Sequence, residues 1–411
     1  MQNCESDECS LLTKLRETPE LFEQIRTSAE KELSSQEQLR RKFAPDLVRA
    51  AMVLVEARQK AASILPSADS LWLNRVGLEQ ATHWQVAHHK ARRFSSVAEV
   101  YDLCSGIGVD SCALVQHSEV VSVDRDPAMG LRCQWNIEAW RQTGHSSTQF
   151  CHQTSVADVE DLPLEGRYVH ADPDRRDGRD RPVKRLEQYR PNLEWMQNVI
   201  RTARGGAIKL GPASNFLQKF PGCEIELISY GGECREATVW FGELSGSHPF
   251  RATVLPSGES IHGDPLQANC PVAECCGEYL FDPDPAVVRS GLLDLAGEIG
   301  QMRRMDREDE YLTSDVCSAN AFVTPYKVEA VLGGNPRELR KYLRQAPSSS
   351  YEVKCRRLKV DANALQKQLP RGECPPRVVL FARQNGKASI IVARRFDFRQ
   401  NDASVHCDPR S

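Results

Sequence analysis

The chain predicts an α/β protein, a mostly parallel sheet flanked by helices, with a helical segment before it and a small α+β segment after it. Three observations carry this reading. From Val97 onward, short β-branched runs alternate with helical stretches, the pattern of parallel strands covered by helices on both faces. The run Tyr101-Asp-Leu-Cys-Ser-Gly-Ile-Gly-Val-Asp110, followed by Glu119-Val-Val-Ser-Val-Asp124, reads as strand, glycine turn, helix and second strand, half of a nucleotide-binding βαβ unit. The runs Cys223 to Tyr230 and Glu236 to Leu244 are separated by Gly-Gly-Glu-Cys-Arg alone. That is too short for a crossover helix, so this last pair is antiparallel.

Before Val97 the sequence reads as helices over Leu11 to Arg26, Gln36 to Phe43, Pro45 to Leu65 and Asp69 to Phe94. Val48, Ala51, Met52, Val55 and Ala62 recur at helical spacing, and Pro45 and Pro66 punctuate the pattern. Residues 1–95 are therefore expected to form a helical N-terminal domain. Strands follow over Val97 to Leu103, Val120 to Asp124, Thr148 to His152, Tyr168 to Asp172 and Ala207 to Leu210, and with the antiparallel pair they make a sheet across residues 96–245. Residues 246–280, rich in Pro, Gly and Cys, read as a linker. An amphipathic helix over Pro285 to Arg303 completes a linker-and-helix segment that reaches residue 320. Beyond it come a strand (Phe322 to Val331), a helix opened by Asn335-Pro336, a strand (Tyr351 to Val360), a helix capped by Asp361, and two strands joined at Asn385-Gly386. That dipeptide favours a type I′ turn because both positions tolerate positive φ. The order β-α-β-α-β-β over residues 321–400 is a small α+β domain.

At 411 residues the chain is long enough for two or three domains. It carries no basic-then-apolar leader and no long uncharged apolar run, which supports neither secretion nor membrane spanning and points to the cytoplasm. The fifteen cysteines are scattered and odd in number, so a disulfide framework is not expected. Cys270, Cys275 and Cys276, with Cys317 as a distant fourth, lack paired C-x-x-C spacing, and no metal is expected there. His83, His88 and His89 fall at spacings that do not share a helix face, and read as helix surface. A net charge of −3 argues against coating nucleic acid through bulk charge. Basic residues nevertheless cluster: eight Lys or Arg against two Glu from Arg337 to Lys359, and seven against four acids from Pro173 to Arg190. The first cluster places Arg337, Arg340, Lys341 and Arg344 along one helical face.

Asp102 separates the cofactor classes. It ends the first strand just before the glycine turn, where a dinucleotide would bring its pyrophosphate to the helix N-terminus and meet repulsion. S-adenosylmethionine carries a sulfonium and an ammonium instead, and a carboxylate attracts both. Asp124 is placed to accept ribose hydroxyls, and Ser111 stands where a dinucleotide fingerprint has its third glycine. A nicotinamide or flavin cofactor is the alternative. At the end of the fourth strand lies Ala171-Asp172-Pro173-Asp174-Arg175-Arg176. In open α/β sheets ligands bind beyond the carboxyl ends of the strands, which makes Asp172 the leading catalytic or substrate-orienting candidate. Arg175 and Arg176 are candidates for phosphate contact. Lys209, which interrupts an apolar strand before Gly-Pro, either approaches the substrate or snorkels from the strand end.

Six parallel strands with one antiparallel strand is the layout of class I methyltransferases, a Rossmann-like sheet of seven strands. Asp102-Leu-Cys-Ser-Gly-Ile-Gly-Val-Asp110, Ala-Asp-Pro-x-Arg-Arg, Lys209-Leu-Gly-Pro212, Gly231 to Trp240, Val353-Lys-x-Arg-Arg357 and the Asn-Gly hairpin together resemble bacterial class I methyltransferases that carry a THUMP-like C-terminal domain. The resemblance runs from about residue 70 to residue 397. It implies that Gly106 and Gly108 flank the methionine moiety, that Asp102 lies near its amino group, and that Asp124 holds the ribose. Cys104 stands where many relatives carry Gly, and Asp158 is the nearest match to the acid that reads the adenine amino group, with Thr154 and Ser155 as alternatives. The motif Asp-Pro-Pro-aromatic of amino-group methyltransferases is matched by Asp172 and Pro173 alone, since Asp174 and Arg175 replace the second Pro and the aromatic. The implied activity is methyl transfer from S-adenosylmethionine, with RNA as the expected partner and Arg340 and Arg344 among the residues that meet it. The alternatives are a small-molecule or protein methyltransferase with a helical lid, and a non-catalytic cofactor-binding RNA factor.

Overall fold

The computed structural model describes residues 2–28, 39–143, 150–176, 181, 183–318 and 320–396. They form two compact units, one of Met1–Ile225 with Arg235–Ser247 and one of Glu226–Cys234 with His248–Ser411. The helical N-terminal segment and the first sheet belong to the same unit, where the sequence alone suggests a boundary near residue 95.

In the first unit the N-terminal helices are α1 (Gln2–Arg16), α2 (Pro19–Ser28), α3 (Pro45–Ala61), α4 (Arg75–Gln80) and α5 (Trp84–Ala91). The helix expected over Leu11 to Arg26 is two, because Pro19 opens a new one as its first residue. The long helix expected over Asp69 to Phe94 is also broken. Asn74 has extended backbone and accepts from the Gly77 N–H at 2.7 Å, capping a fresh start, and His83 caps another by accepting from Gln85. Residues 36–38 of the expected helix over Gln36 to Phe43 lie outside the described residues. These helices share one apolar core with the sheet: Leu15, Leu21, Leu54 and Trp72 are buried with Val100, Val120 and Trp135. The Trp72 and Trp135 rings meet at 4.8 Å, and the Trp72 N–H donates to Asn136 at 2.5 Å.

The sheet follows in βα order: β1 (Glu99–Leu103), α6 (Val109–Leu114), β2 (Glu119–Asp124), α7 (Pro127–Gln142), β3 (His152–Val156), β4 (Tyr168–Ala171), α8 (Leu193–Thr202), β5 (Gly205–Leu210), β6 (Glu224–Tyr230) and β7 (Glu233–Gly242), of which β6 from Glu226 on and the first two residues of β7 belong to the second unit. The strand order is β3-β2-β1-β4-β5-β7-β6. Strands β1 to β5 pair parallel, and β7 runs antiparallel to β5, the layout expected of class I methyltransferases. Strand β3 lies four residues beyond its expected start at Thr148, and residues 148 and 149 lie outside the described residues. Its sequence, His-Gln-Thr-Ser-Val, is polar because it pairs on one side only, so it carries little hydrophobic signal. Reversal between β1 and β4 opens the switch point at the carboxyl ends of the strands.

The second unit holds a hairpin of β8 (Phe250–Leu255) and β9 (Glu259–Gly263), then β10 (Tyr279–Pro283), α9 (Pro285–Arg289), α10 (Leu293–Ile299), β11 (Arg303–Arg304), β12 (Leu312–Ser314), β13 (Val323–Gly333), α11 (Pro336–Gln345), β14 (Tyr351–Cys355), α12 (Ala362–Gln368), β15 (Arg377–Gln384) and β16 (Lys387–Arg395). The expected linker is thus a structured region. Phe-Arg-Ala-Thr-Val-Leu pairs with Glu-Ser-Ile-His-Gly across a Pro-Ser-Gly turn, a hairpin that the Pro and Gly content concealed. Three further strands from 279–314 extend the sheet β11-β12-β10-β13-β16-β15-β14. The helix expected over Pro285 to Arg303 is interrupted at Gly291, which has φ 78°. From β13 onward the expected order holds, including the Asn335 and Asp361 caps and positive φ at both Asn385 (51°) and Gly386 (74°). Alternation along β15 sends Val379 and Phe381 to a core with Leu339, Leu343 and Leu365, and Val378 and Leu380 to the opposite face with Tyr311 and Tyr326. Among the described residues no helix is long and apolar enough to cross a membrane, and no three His, Cys, Asp or Glu gather as a metal site.

Candidate functional site

A cavity of about 280 Å³ opens at the switch point, lined by the turn after β1, the ends of β2, β3 and β4, and α4 with the turn that follows it. The turn takes this path because Cys104, Gly106 and Gly108 all have positive φ, at 57°, 54° and 79°. The two glycines do different work. A Cβ on Gly106 would meet nothing within 4 Å, so its backbone lies open to the cavity. One on Gly108 would fall 2.5 Å from Cys133 Sγ, so this residue lets α6 approach α7. Gly108, expected beside the methionine moiety, is not among the residues that line the cavity.

Asp124 ends β2 at the cavity wall, where Oδ2 accepts from the Gly106 N–H at 2.8 Å and Oδ1 from the Asp126 N–H at 2.9 Å. Each oxygen keeps a lone pair for a diol. Burial pushes its carboxyl pKa up, against those two backbone bonds. Asp158 lines the cavity beyond β3 and caps the next turn through the Glu160 N–H at 3.0 Å, whereas Thr154 and Ser155 stay within β3. Cys104 also lines it, and burial, with Asp124 and Asp172 nearby, raises its pKa so that the thiol stays protonated. Seven carboxylates against three arginines line the cavity. That donor set, with the exposed backbone of Gly106, fits a cofactor that is cationic at its reactive end and bears a ribose, and disfavours a pyrophosphate.

Asp172 and Pro173 form the other wall. Asp172 Oδ2 accepts from Lys209 Nζ at 2.6 Å, and Lys209 also donates to the Gln80 carbonyl at 3.1 Å. Lys209 is therefore a buried partner of Asp172 rather than a cavity-lining group. Burial pushes the Asp172 pKa up while Lys209 pulls it down. Asp174 accepts from Gln80 Nε2 at 2.7 Å. Arg175 lines the cavity. Arg176 pairs with Glu79 at 3.2 Å and is not among the residues that line the cavity.

Asp102 lies on β1. It is 1% exposed, and its carboxylate accepts from Ser111 Oγ and from His170 Nδ1 at 2.7 Å. It is not among the residues that line the cavity. From it runs a buried network that sequence reasoning missed. His170 Nε2 lies 3.2 Å from Lys90 Nζ, and Lys90 pairs with Asp110 at 3.0 Å and Glu236 at 2.8 Å. Asp110 lines the cavity and accepts from Thr82 Oγ1 at 2.5 Å. Burial alone would raise its carboxyl pKa, but Lys90, His170 and Lys209 outweigh it and hold Asp110 well below the usual range. The signal for Lys90 is its place on the stripe Val86, Ala87, Ala91, Phe94, where a lone cation on a buried helix face demands a partner.

In the second unit, Arg337, Arg340 and Lys359 line a groove of about 690 Å³ between the start of α11 and the start of α12. Arg344 is exposed on α11 but outside that groove. Three of the eight residues of the predicted basic cluster are ion-paired within the unit: Lys354 with Asp282 at 2.8 Å, Arg356 with Asp282 at 2.7 Å and Glu310 at 3.1 Å, and the exposed Arg357 with Glu310 at 2.6 Å.

Residues 323–395 match the THUMP domain-like family. In sequence, the chain is 32% identical over 359 residues to an uncharacterised S-adenosylmethionine-dependent methyltransferase found in two strains of Mycobacterium tuberculosis, covering 85% of this chain and 96% of the relative. In structure it is similar to a candidate methyltransferase from Porphyromonas gingivalis W83, with a TM-score of 0.73, 18% identity, and coverage of 86% of this chain and 92% of that one. The cavity chemistry and the sequence kinship converge: this chain belongs to the S-adenosylmethionine-dependent methyltransferases, with a THUMP-like domain at its C-terminal end.

Proposed function

We propose that the enzyme transfers the cofactor methyl group to RNA. Asp124 would hold the ribose and Asp158 the adenine, with the Gly106 backbone beside the methionine moiety. When bound, S-adenosylmethionine supplies an electrophilic methyl on a positively charged sulfur. This chain's residues then have two tasks, to orient the acceptor and to take its proton where it has one to lose. Asp172 is the candidate for both, since Oδ2 is held by Lys209 and Oδ1 is left to face the acceptor. Arg175, at the same wall, would meet an acceptor phosphate.

The observation that carries the choice of RNA is the groove lined by Arg337, Arg340 and Lys359 in a THUMP-like fold. Among the described residues none of these three has an ion-pair partner, while the neighbouring Lys354, Arg356 and Arg357 do. Among the described residues no aromatic side chain lines the cavity, so the acceptor base would be held by hydrogen bonds rather than by stacking. The test is methyl transfer from labelled cofactor into total RNA, total protein and small-metabolite fractions. Label in RNA supports the reading; label confined to another fraction replaces it with a protein or small-molecule acceptor, and label in none leaves a cofactor-binding RNA factor.

A further inference from the structure

We infer that Gln80, on a short helix far in sequence from the sheet motifs, is a positioning residue that sets Asp172 for methyl transfer. The inference rests on Asp172 as the acceptor-facing carboxylate, whichever acceptor that is. Gln80 makes two contacts at once: its side-chain amide donates to Asp174 Oδ1 at 2.7 Å, and its backbone carbonyl accepts from Lys209 Nζ at 3.1 Å. Lys209 in turn holds Asp172 Oδ2 at 2.6 Å. The residue therefore grips the strand-end segment at both of its acids, directly at Asp174 and through Lys209 at Asp172.

Helix α4 is well anchored to do this. At its start, Gly77 packs so closely on the cofactor turn that an added Cβ would fall 2.4 Å from Ile107 Cγ2. At its end, Glu79 pairs with Arg176 at 3.2 Å, beside the Gln80 contact. Val76, Gly77 and Gln80 all line the cavity, so one short helix touches the cofactor turn and the acceptor-side segment together. Lys209 has three N–H donors, of which Asp172 and Gln80 take two in fixed directions. Gln80→Leu keeps the backbone carbonyl that Lys209 uses and removes the side-chain bond to Asp174, so Lys209 and Asp172 keep each other while the segment that carries Asp172 loses its hold at Asp174. Positioning errors of this kind act on turnover rather than on affinity.

The test compares the full-length protein with Gln80→Leu, Lys209→Met and the double variant. For Gln80→Leu, S-adenosylhomocysteine affinity by calorimetry is expected to stay within about threefold and kcat to fall about tenfold, the scale of one hydrogen bond to a charged group. The acceptor is whichever of the RNA, protein or metabolite fractions the wild type labels, so failure of the RNA reading leaves this test intact. The losses in the double variant should be no larger than in Lys209→Met, because both act through Asp172. Independently of any acceptor, hydrogen exchange at the Asp174 and Arg190 amides, which bond each other's carbonyls at 2.8 and 2.9 Å, should quicken at least fivefold in Gln80→Leu. Unchanged exchange, unchanged kcat in a labelling wild type, or fully additive losses would each overturn the inference.

Discussion

At the residue scale, the site separates groups that meet the cofactor from groups that hold those groups. Asp124 belongs to the first kind. Asp124→Ala removes charge-assisted bonds worth about 1.5–3 kcal/mol, so S-adenosylhomocysteine affinity should drop about ten- to a hundredfold in calorimetry, with no NAD binding by either protein. Asp172→Asn should cut turnover while leaving that affinity nearly unchanged, because Asp172 sits on the acceptor wall. The glycines give a sharper contrast. Gly106→Ala meets only the left-handed backbone penalty of about 1–2 kcal/mol, since its Cβ would be in open space. Gly108→Ala adds a clash with Cys133 and should lose a further 1–3 kcal/mol or so. Urea unfolding distinguishes them, and equal losses would show that the α6 and α7 contact yields freely.

At the element scale, α11 and β14 carry basic residues with opposite fates. On α11 the capped start at Asn335 directs Arg337 and Arg340 into the groove. The double substitution Arg337→Glu/Arg340→Glu should therefore weaken RNA binding and lower its log-log salt slope by about 1.4, at about 0.7 per lost phosphate contact on a single strand. Arg344→Glu, outside the groove, should change the slope less. Around β14, Arg356 is committed to Asp282 and Glu310. Its removal leaves the buried Asp282 with one partner fewer, so Arg356→Ala should unfold at lower urea with little direct effect on RNA contacts. Filter binding across a salt series, beside unfolding curves, checks each. Strand alternation puts Lys354 and Arg356 on the face opposite Arg357, and it cannot say that acids from β10 and the turn before β12 reach all three.

At the scale of the whole molecule, stability should depend on the buried Lys90 network. Burial works against both charges, yet Asp110 and Glu236 raise the Lys90 pKa, and Lys90 with His170 depresses that of Asp110. A depressed carboxylate contributes stability that is complete above its unfolded value of about 3.8 and is lost as pH falls through the lower folded value. A raised lysine contributes stability that is complete below its unfolded value of about 10.5 and is lost only above the folded one. The pair should therefore stabilise evenly from about pH 5 to pH 9. Lys90→Met strands two buried carboxylates and should lose about 3–5 kcal/mol at neutral pH. That deficit should shrink as pH falls and the stranded acids protonate. Urea midpoints from pH 4 to pH 8 measure it, and a deficit independent of pH would assign the loss to packing.

The sequence by itself determined the βαβ turn, the antiparallel final pair, the caps at Asn335 and Asp361 and the Asn385-Gly386 hairpin. These are local: a glycine that must adopt positive φ, a short side chain that must cap a helix and a connection too short for a crossover all act within a few residues. It also marked Asp124, Asp172 and Cys104, because a polar or small residue at a strand end before a turn is visible in one dimension. Only the tertiary structure decided where carboxylates point. Asp102 and Asp124 both lie near strand ends, yet one is buried against His170 and the other lines the cavity. That difference follows from which neighbours each meets, as does the burial of Lys90 against Asp110 and Glu236. Gln80 reaches Asp174 across 94 residues, and the hairpin of β8 and β9 exists because its strands pair, not because its composition announces them. Contacts between distant segments carry no local signature, since the free energy that selects them comes from burial and charge pairing after the chain has folded together.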